Sequence, residues 1–97
     1  MSSLIIRPIA AAEIDEAYLW YESQRTGLGE EFLAEVNGTL DTIREMPELY
    51  AVVHRDTRRA MLVRFTYSLL YRLVNKQVIV VACFHGKRDP KRWQGRT

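Results

Sequence analysis

The side chains of this sequence that could carry chemistry are cationic, and nearly all of them lie in its second half. Arg55, Arg58 and Arg59 gather around an expected turn, Arg64 and Arg72 fall in expected strands with a solvent-facing sheet surface as their home, and Lys87, Arg88, Lys91, Arg92 and Arg96 crowd the tail around Trp93. Guanidinium forks bind phosphates or carboxylates in bidentate fashion. An aromatic ring set among them can stack on a base. Each arginine alone is most simply a solvated surface charge; taken together they make a binding surface. Trp93 reads two ways, as a ring buried to pin the tail onto the sheet or as a contact for a partner. The two histidines are His54 and His85. Imidazole is the side chain suited to moving protons at neutral pH. His85 with Arg64 and Arg88 could therefore supply the proton transfer and the cation that phosphodiester transesterification needs. The plainer role for His85 is to cap the end of a core strand.

Other chemistries are excluded by spacing. Gly27-Leu28-Gly29 lies between two expected helices and not after a strand, so it is no phosphate loop. The histidines are far apart, with a single cysteine, Cys83, and form no metal signature. No serine sits in a nucleophile-elbow pattern. The carboxylates concentrate on the expected helices, where a solvated face explains them. Neither a metal nor a cofactor is expected.

Composition sets the frame. With 97 residues, 47% hydrophobic and 27% charged, the chain suits one globular domain over residues 1–97, ending in a basic tail from about residue 86. Cys83, within Val80–Phe84, reads as a buried structural thiol, and the lack of a disulfide framework fits a reducing cytosol. No apolar run approaches the ~20 residues of a membrane span. The first residues, Met1-Ser2-Ser3-Leu4, lack a signal-peptide pattern. A soluble, cytoplasmic protein without membrane partners is the expectation. The net charge of +2 conceals a separation: residues 1–48 carry three basic and ten acidic side chains, a balance of −7, and residues 49–97 carry eleven basic and two acidic, a balance of +9. Such a basic half attracts nucleic acid, acidic protein or anionic membrane through long-range steering.

The elements that must position these residues follow from periodicity. Leu4–Ile6 reads as a strand closed by Pro8. Ala10 to Arg25 is helical, with Ile14, Ala17, Tyr18 and Tyr21 on one face and Glu13, Asp15 and Glu16 in its opening turns, where the macrodipole favours anions. Gly27 is placed as its C-terminal cap. Glu30 to Met46 is a second helix with the stripe Phe32, Val36, Leu40, Ile43, stopped by Pro47. Strands follow at Tyr50–His54, Ala60–Phe65, Tyr67–Val74 and Gln77–Phe84, with Asn75-Lys76 as a tight hairpin turn. In the second of these, Met61, Val63 and Phe65 share one face. The last is apolar on both faces, Val78, Val80 and Ala82 against Ile79, Val81 and Cys83, and so belongs inside the sheet. The fold class is α+β: an antiparallel helical hairpin on one face of a mainly antiparallel sheet, in the order β-α-α-β-β-β-β.

Trp20-Tyr21-Glu22, Gly27-Leu28-Gly29 with Phe32 behind it, Arg64-Phe65-x-Tyr67 and Phe84-His85-x-x-Arg88-Asp89-Pro90-x-x-Trp93 succeed one another along nearly the whole chain. This succession resembles the RelE/ParE superfamily of bacterial toxins from type II toxin–antitoxin modules, and it agrees with the element order. In that superfamily RelE-like members cut messenger RNA on the ribosome. Their basic side chains stabilise charge as the ribose 2′-hydroxyl attacks the phosphodiester. ParE-like members bind DNA gyrase and trap it on cleaved DNA. In the RNases an arginine commonly precedes the Leu-x-Tyr that here reads Leu69-Leu70-Tyr71; this sequence has Ser68 there. The RNases also often end the last strand with a catalytic tyrosine or a His-Tyr pair, where this sequence has His85-Gly86-Lys87 and no tyrosine after Tyr71.

The resemblance therefore implies a ParE-like toxin that inhibits growth by binding gyrase, with plasmid stabilisation as the wider role and no catalytic residue assigned. Its partner-binding residues would be Arg64, Arg72, His85, Arg88, Arg92 and Trp93. A RelE-like RNase, with ribosome and mRNA as partners, would instead use Arg64, His85 and Arg88 as catalytic residues. A degenerate toxin that only binds antitoxin is the third reading. In each, a cognate antitoxin forms a hetero-oligomer with the chain. An acidic antitoxin segment suits the basic half, and strand addition at a sheet edge is a natural docking mode.

Overall fold

Pro8 opens a helix where the sequence reading had it closing a strand. Its missing N–H and preset φ suit the first helical position, where that donor would be unpaired anyway. In a computed structural model that describes residues 2–96, β1 spans Ser3–Ile6 and α1 runs Pro8–Gln24. Then follow α2 (Leu28–Glu45), β2 (Val52–His54), β3 (Thr57–Met61), β4 (Tyr67–Val74), β5 (Gln77–His85) and a short α3 (Lys91–Gln94). Met1 and Thr97, the ends of the expected domain 1–97, lie outside the described residues.

The five strands form one sheet in the order β1-β5-β4-β3-β2. Only β1 and β5 pair in parallel; the other pairings are antiparallel. The two long helices cover one face. The stripe Phe32, Val36, Leu40, Ile43 of α2 is wholly buried, as are Ala10, Ile14 and Ala17 of α1, and they pack on Leu69, Tyr71, Val78, Val80 and Cys83. The fold class read from the sequence holds, order and layers included.

Three local readings change. First, β3 ends at Met61, so Val63 and Arg64 belong to a loop, with Leu62 and Phe65 buried and Met61 and Val63 exposed. Second, because α1 begins at Pro8, its first turn holds no acid. Glu13 therefore serves a tertiary contact instead of the macrodipole. Third, the alternation along β5 breaks at a bulge. Leu70 pairs with Ala82 but Tyr71 pairs with Val80, which leaves Val81 as the extra residue. One added residue moves everything beyond it to the opposite face. Cys83 thus joins Val78 and Val80 under the helices, and Ala82 joins Val81 and Phe84 on the other side. Burial, with the Glu13 carboxylate nearby, pushes the Cys83 thiol up to about 12, which fits an inert structural cysteine.

The glycine motif also has a structural account. Gly27 stands at φ +90°, a left-handed conformation suited to glycine, but it directly precedes α2 and does not cap α1. The Glu22 carboxylate accepts hydrogen bonds from the backbone N–H groups of Gly27 at 2.9 Å and Gly29 at 3.0 Å. A side chain from the preceding helix thereby satisfies donors at the start of α2 and places a negative charge on its positive end. A Cβ at Gly29 would lie 2.8 Å from the Tyr18 ring and 2.9 Å from Glu22 Oε1, so the hairpin closes this tightly only with glycine there. Asn75 and Lys76, at φ +50° and +65°, make the expected two-residue turn between β4 and β5.

Candidate functional site

The face of the sheet opposite the helices is covered by the chain's own tail. Beyond β5 the backbone turns through Gly86, whose N–H donates to Thr66 O at 2.8 Å. The Asp89 side chain then accepts the Lys91 N–H at 3.0 Å, and Pro90 leads into α3. That short helix sets Trp93 onto Leu70, Val81, Ala82 and Phe84 with 6% of its surface exposed. The His54 ring meets Trp93 edge-on, with centroids 5.7 Å apart. From the sequence Trp93 reads either as a ring that pins the tail onto the sheet or as one of the partner-binding residues. The structure buries it as the anchor, because among the described residues its ring is the one large apolar group that the tail brings to this face.

The tail is latched at its far end. Arg96 forms a two-pronged ion pair with Glu13 of α1 at 2.9 and 3.1 Å and donates to Val81 O at 3.0 Å, while Glu13 also accepts the Cys83 N–H at 3.1 Å. The pairing of β1 with β5 ends at Ile6–Val80. The Glu13–Arg96 pair therefore occupies backbone groups of β5 that lie beyond the reach of β1 and covers that stretch of sheet edge.

The residues proposed from sequence do not form one cluster. His85 and Arg88 come together where β5 gives way to the tail: Arg88 N–H donates to His85 O at 3.1 Å, and both side chains line recesses on either side of them. The His85 ring stands edge-on to Tyr67, its cross-strand partner, at 5.1 Å, and its Nδ1 accepts the Lys87 N–H at 3.1 Å. That bond leaves the ring proton of neutral His85 on Nε2, as a donor.

Arg64 lies elsewhere. It sits in the β3–β4 loop, not in a strand, and donates to Glu31 of α2 at 2.7 Å. Glu35 holds the same loop by accepting the N–H groups of Val63 and Arg64. The guanidinium of Arg64, followed by that of Arg25, holds the Glu31 carboxyl below its ordinary value. Arg72 is bound in bidentate fashion by Asp56, both contacts at 2.9 Å, and it pairs across the sheet with Ile79, towards the end of the strands remote from His85. Arg92 is exposed on α3.

One side chain outside the residues expected from the sequence also belongs to the site. Arg59, half-buried on β3, donates from Nε to the Ser68 hydroxyl at 2.9 Å, and Ser68 is only 3% exposed. With Ser68, His85 and Arg88 it lines a cavity of about 200 Å³ beneath Trp93. The signal was the strand register: Arg59 pairs with Leu70 and so lies diagonally across from Ser68 on the same face. The second recess, about 350 Å³, has Trp20, Tyr21 and Tyr67 as walls, with Glu16, His85 and Arg88.

Comparison with known proteins adds three findings. A family model described as the ParE toxin of the type II toxin–antitoxin system parDE matches residues 4–90. No curated protein matches the chain. A solved structure described as a chromosomal ParDE TA system from P. aeruginosa is similar with a TM-score of 0.66 and 20% identity, over 88% of this chain and 96% of that one. At that identity the likeness bears on the fold.

Proposed function

The chain belongs to the ParE toxin family of type II toxin–antitoxin systems, and we propose that it arrests growth by binding DNA gyrase and that a cognate antitoxin neutralises it. The observation that carries this reading is the state of Ser68. The RNA-cleaving branch commonly has an arginine at this place before Leu69-Leu70-Tyr71. Here there is a buried serine whose hydroxyl is engaged by Arg59. Beyond His85 the chain continues with Gly86 and Lys87, not a tyrosine. Cleavage of a phosphodiester needs groups that take and give protons as well as a cation. Arginines are cations only, and His85 is the one imidazole at this site.

The proposed contact surface runs along His85, Arg88 and Arg92 at the mouth of the tail, with Arg64 and Arg72 as outlying charges and Trp93 as the buried anchor that holds the tail in place. Its positive charge suits an acidic antitoxin segment, and the exposed strand β2 offers an edge for strand addition. The toxin should therefore associate with its antitoxin at a rate that falls with ionic strength. A rate indifferent to salt counts against the charged docking surface.

The direct test is induction in bacteria. Gyrase recovered on the tagged chain, together with gyrase-linked DNA breaks, supports the reading. Cleaved messenger RNA with halted translation replaces it by the RNase, and soluble protein without growth arrest replaces it by a chain that only binds antitoxin.

A further inference from the structure

We propose that the cavity beneath α3 is a phosphate-binding site, in which Arg59 and Arg88 clasp a phosphate dianion, free or as a monoester, with Ser68 and His85 as further hydrogen-bonding groups. The proposal does not depend on which macromolecule the toxin stops.

The argument starts from charge. Among the described residues, Arg25, Arg64, Arg72 and Arg96 each meet a carboxylate. Neither Arg59 nor Arg88 pairs with one, yet both line the same cavity. Two arginines line this one small space, the second of them also beside the recess that holds Glu16, and an anion between them offsets the repulsion of their like charges. The arrangement is also partly set in advance. The Nε–H of Arg59 is tied to a buried Ser68 hydroxyl, which fixes the plane of the guanidinium and leaves its terminal nitrogens for a ligand. Arg88 is carried by the turn that Gly86 and His85 hold through backbone bonds to Thr66 and Arg88. Preorganised donors lose little freedom on binding.

Size and chemistry select the ligand. A cavity of about 200 Å³ holds the volume of roughly six waters, ample for a phosphate and a small substituent. Two forks, an imidazole N–H and a hydroxyl present more donors than the two oxygens of one carboxylate can use well, and their double positive charge matches a dianion. Phe84 and Trp93 form an apolar wall that strengthens these contacts by excluding water. With a single imidazole and no second proton-transfer group, the site binds phosphate and leaves it intact.

The experiment titrates the full chain separately with inorganic phosphate, a nucleoside 5′-monophosphate and acetate, following the 1H–15N signals of the Arg59 Nε–H and the Gly86 amide. Saturable shifts with phosphate, and much weaker ones with acetate, are expected. Tighter binding of the monophosphate identifies an ester as the ligand, whereas equal binding identifies phosphate itself. Arg59→Gln and Arg88→Gln should each weaken binding roughly tenfold or more, the usual effect of removing a charge-assisted hydrogen bond. If Arg59→Gln does not fold, Arg88→Gln carries the test, since that residue is exposed on a turn. Absent shifts, acetate acting as strongly as phosphate, or undiminished binding to Arg88→Gln would overturn the proposal.

Discussion

Arg96 and Arg88 stand in the same basic tail, yet the first is spent on the fold and the second is left open. Arg96 turns back to Glu13, its side chain 18% exposed and that of Glu13 15%, and closes the edge of β5. Arg88 stands on an exposed turn between the cavity it lines with Arg59 and the recess it lines with Glu16, and among the described residues it forms no ion pair. The same contrast divides Arg64 and Arg72, each neutralised by a carboxylate, from Arg92. Formal charge in a sequence is therefore not available charge. Of the balance of +9 in the second half, part is returned to acids of the helices, and Glu13 and Glu31 stitch the two halves together.

The largest test of this contrast removes the ring on which the tail rests. Trp93→Ala should cost about 3–4 kcal/mol, as for other buried tryptophans, and urea denaturation measures it. A loss below about 1 kcal/mol would mean that the tail is not part of the core. Next comes the latch. Arg96→Ala leaves Glu13 partly buried and unpaired and should cost about 2–3 kcal/mol, whereas Arg88→Ala should change stability by no more than about 0.5 kcal/mol. If the two variants unfold alike, the contrast between them fails. Arg88→Ala should nevertheless weaken growth arrest in cells, read as colony survival on induction at equal protein level.

The smallest effect concerns acid. The carboxyls of Glu31 and Asp56 lie below their ordinary values of 4.5 and 3.8, Glu31 through Arg64 and then Arg25, Asp56 chiefly through Arg72. A carboxyl whose folded value is lowered stabilises the protein above its unfolded value, and loses that contribution as pH falls through the folded one. Stability should thus hold down to about pH 4.5 and decline below it. Glu31→Gln should flatten that decline slightly, as measured by urea midpoints between pH 5 and pH 3. An unchanged slope would show that the Arg64–Glu31 bridge adds nothing measurable, as many exposed pairs do.

Much of this architecture was legible beforehand, and the exceptions share a cause. The stripe of α2 and the Asn75-Lys76 turn were read correctly because they depend on residues near in sequence. The bulge at Val81 was hidden, since an apolar run looks the same whichever way its residues face. Arg59 was seen only as one of three arginines beside a turn, and its meeting with Ser68 depends on the register between β3 and β4. For Trp93 the sequence allows two roles, and only the packing of the tail separates them.

The sequence by itself determined the element order, the helical hairpin, the separation of charge and the motifs that place the chain with the ParE toxins, because periodicity, turn chemistry and composition act over short range. Only the tertiary structure decided which cations remain free. An arginine's partner is chosen by strand register, bulges and the path of the tail, which bring together residues as distant as Glu13 and Arg96, or Arg59 and Arg88. Coulombic pairing depends on distance in space, and the order of residues along the chain does not contain it.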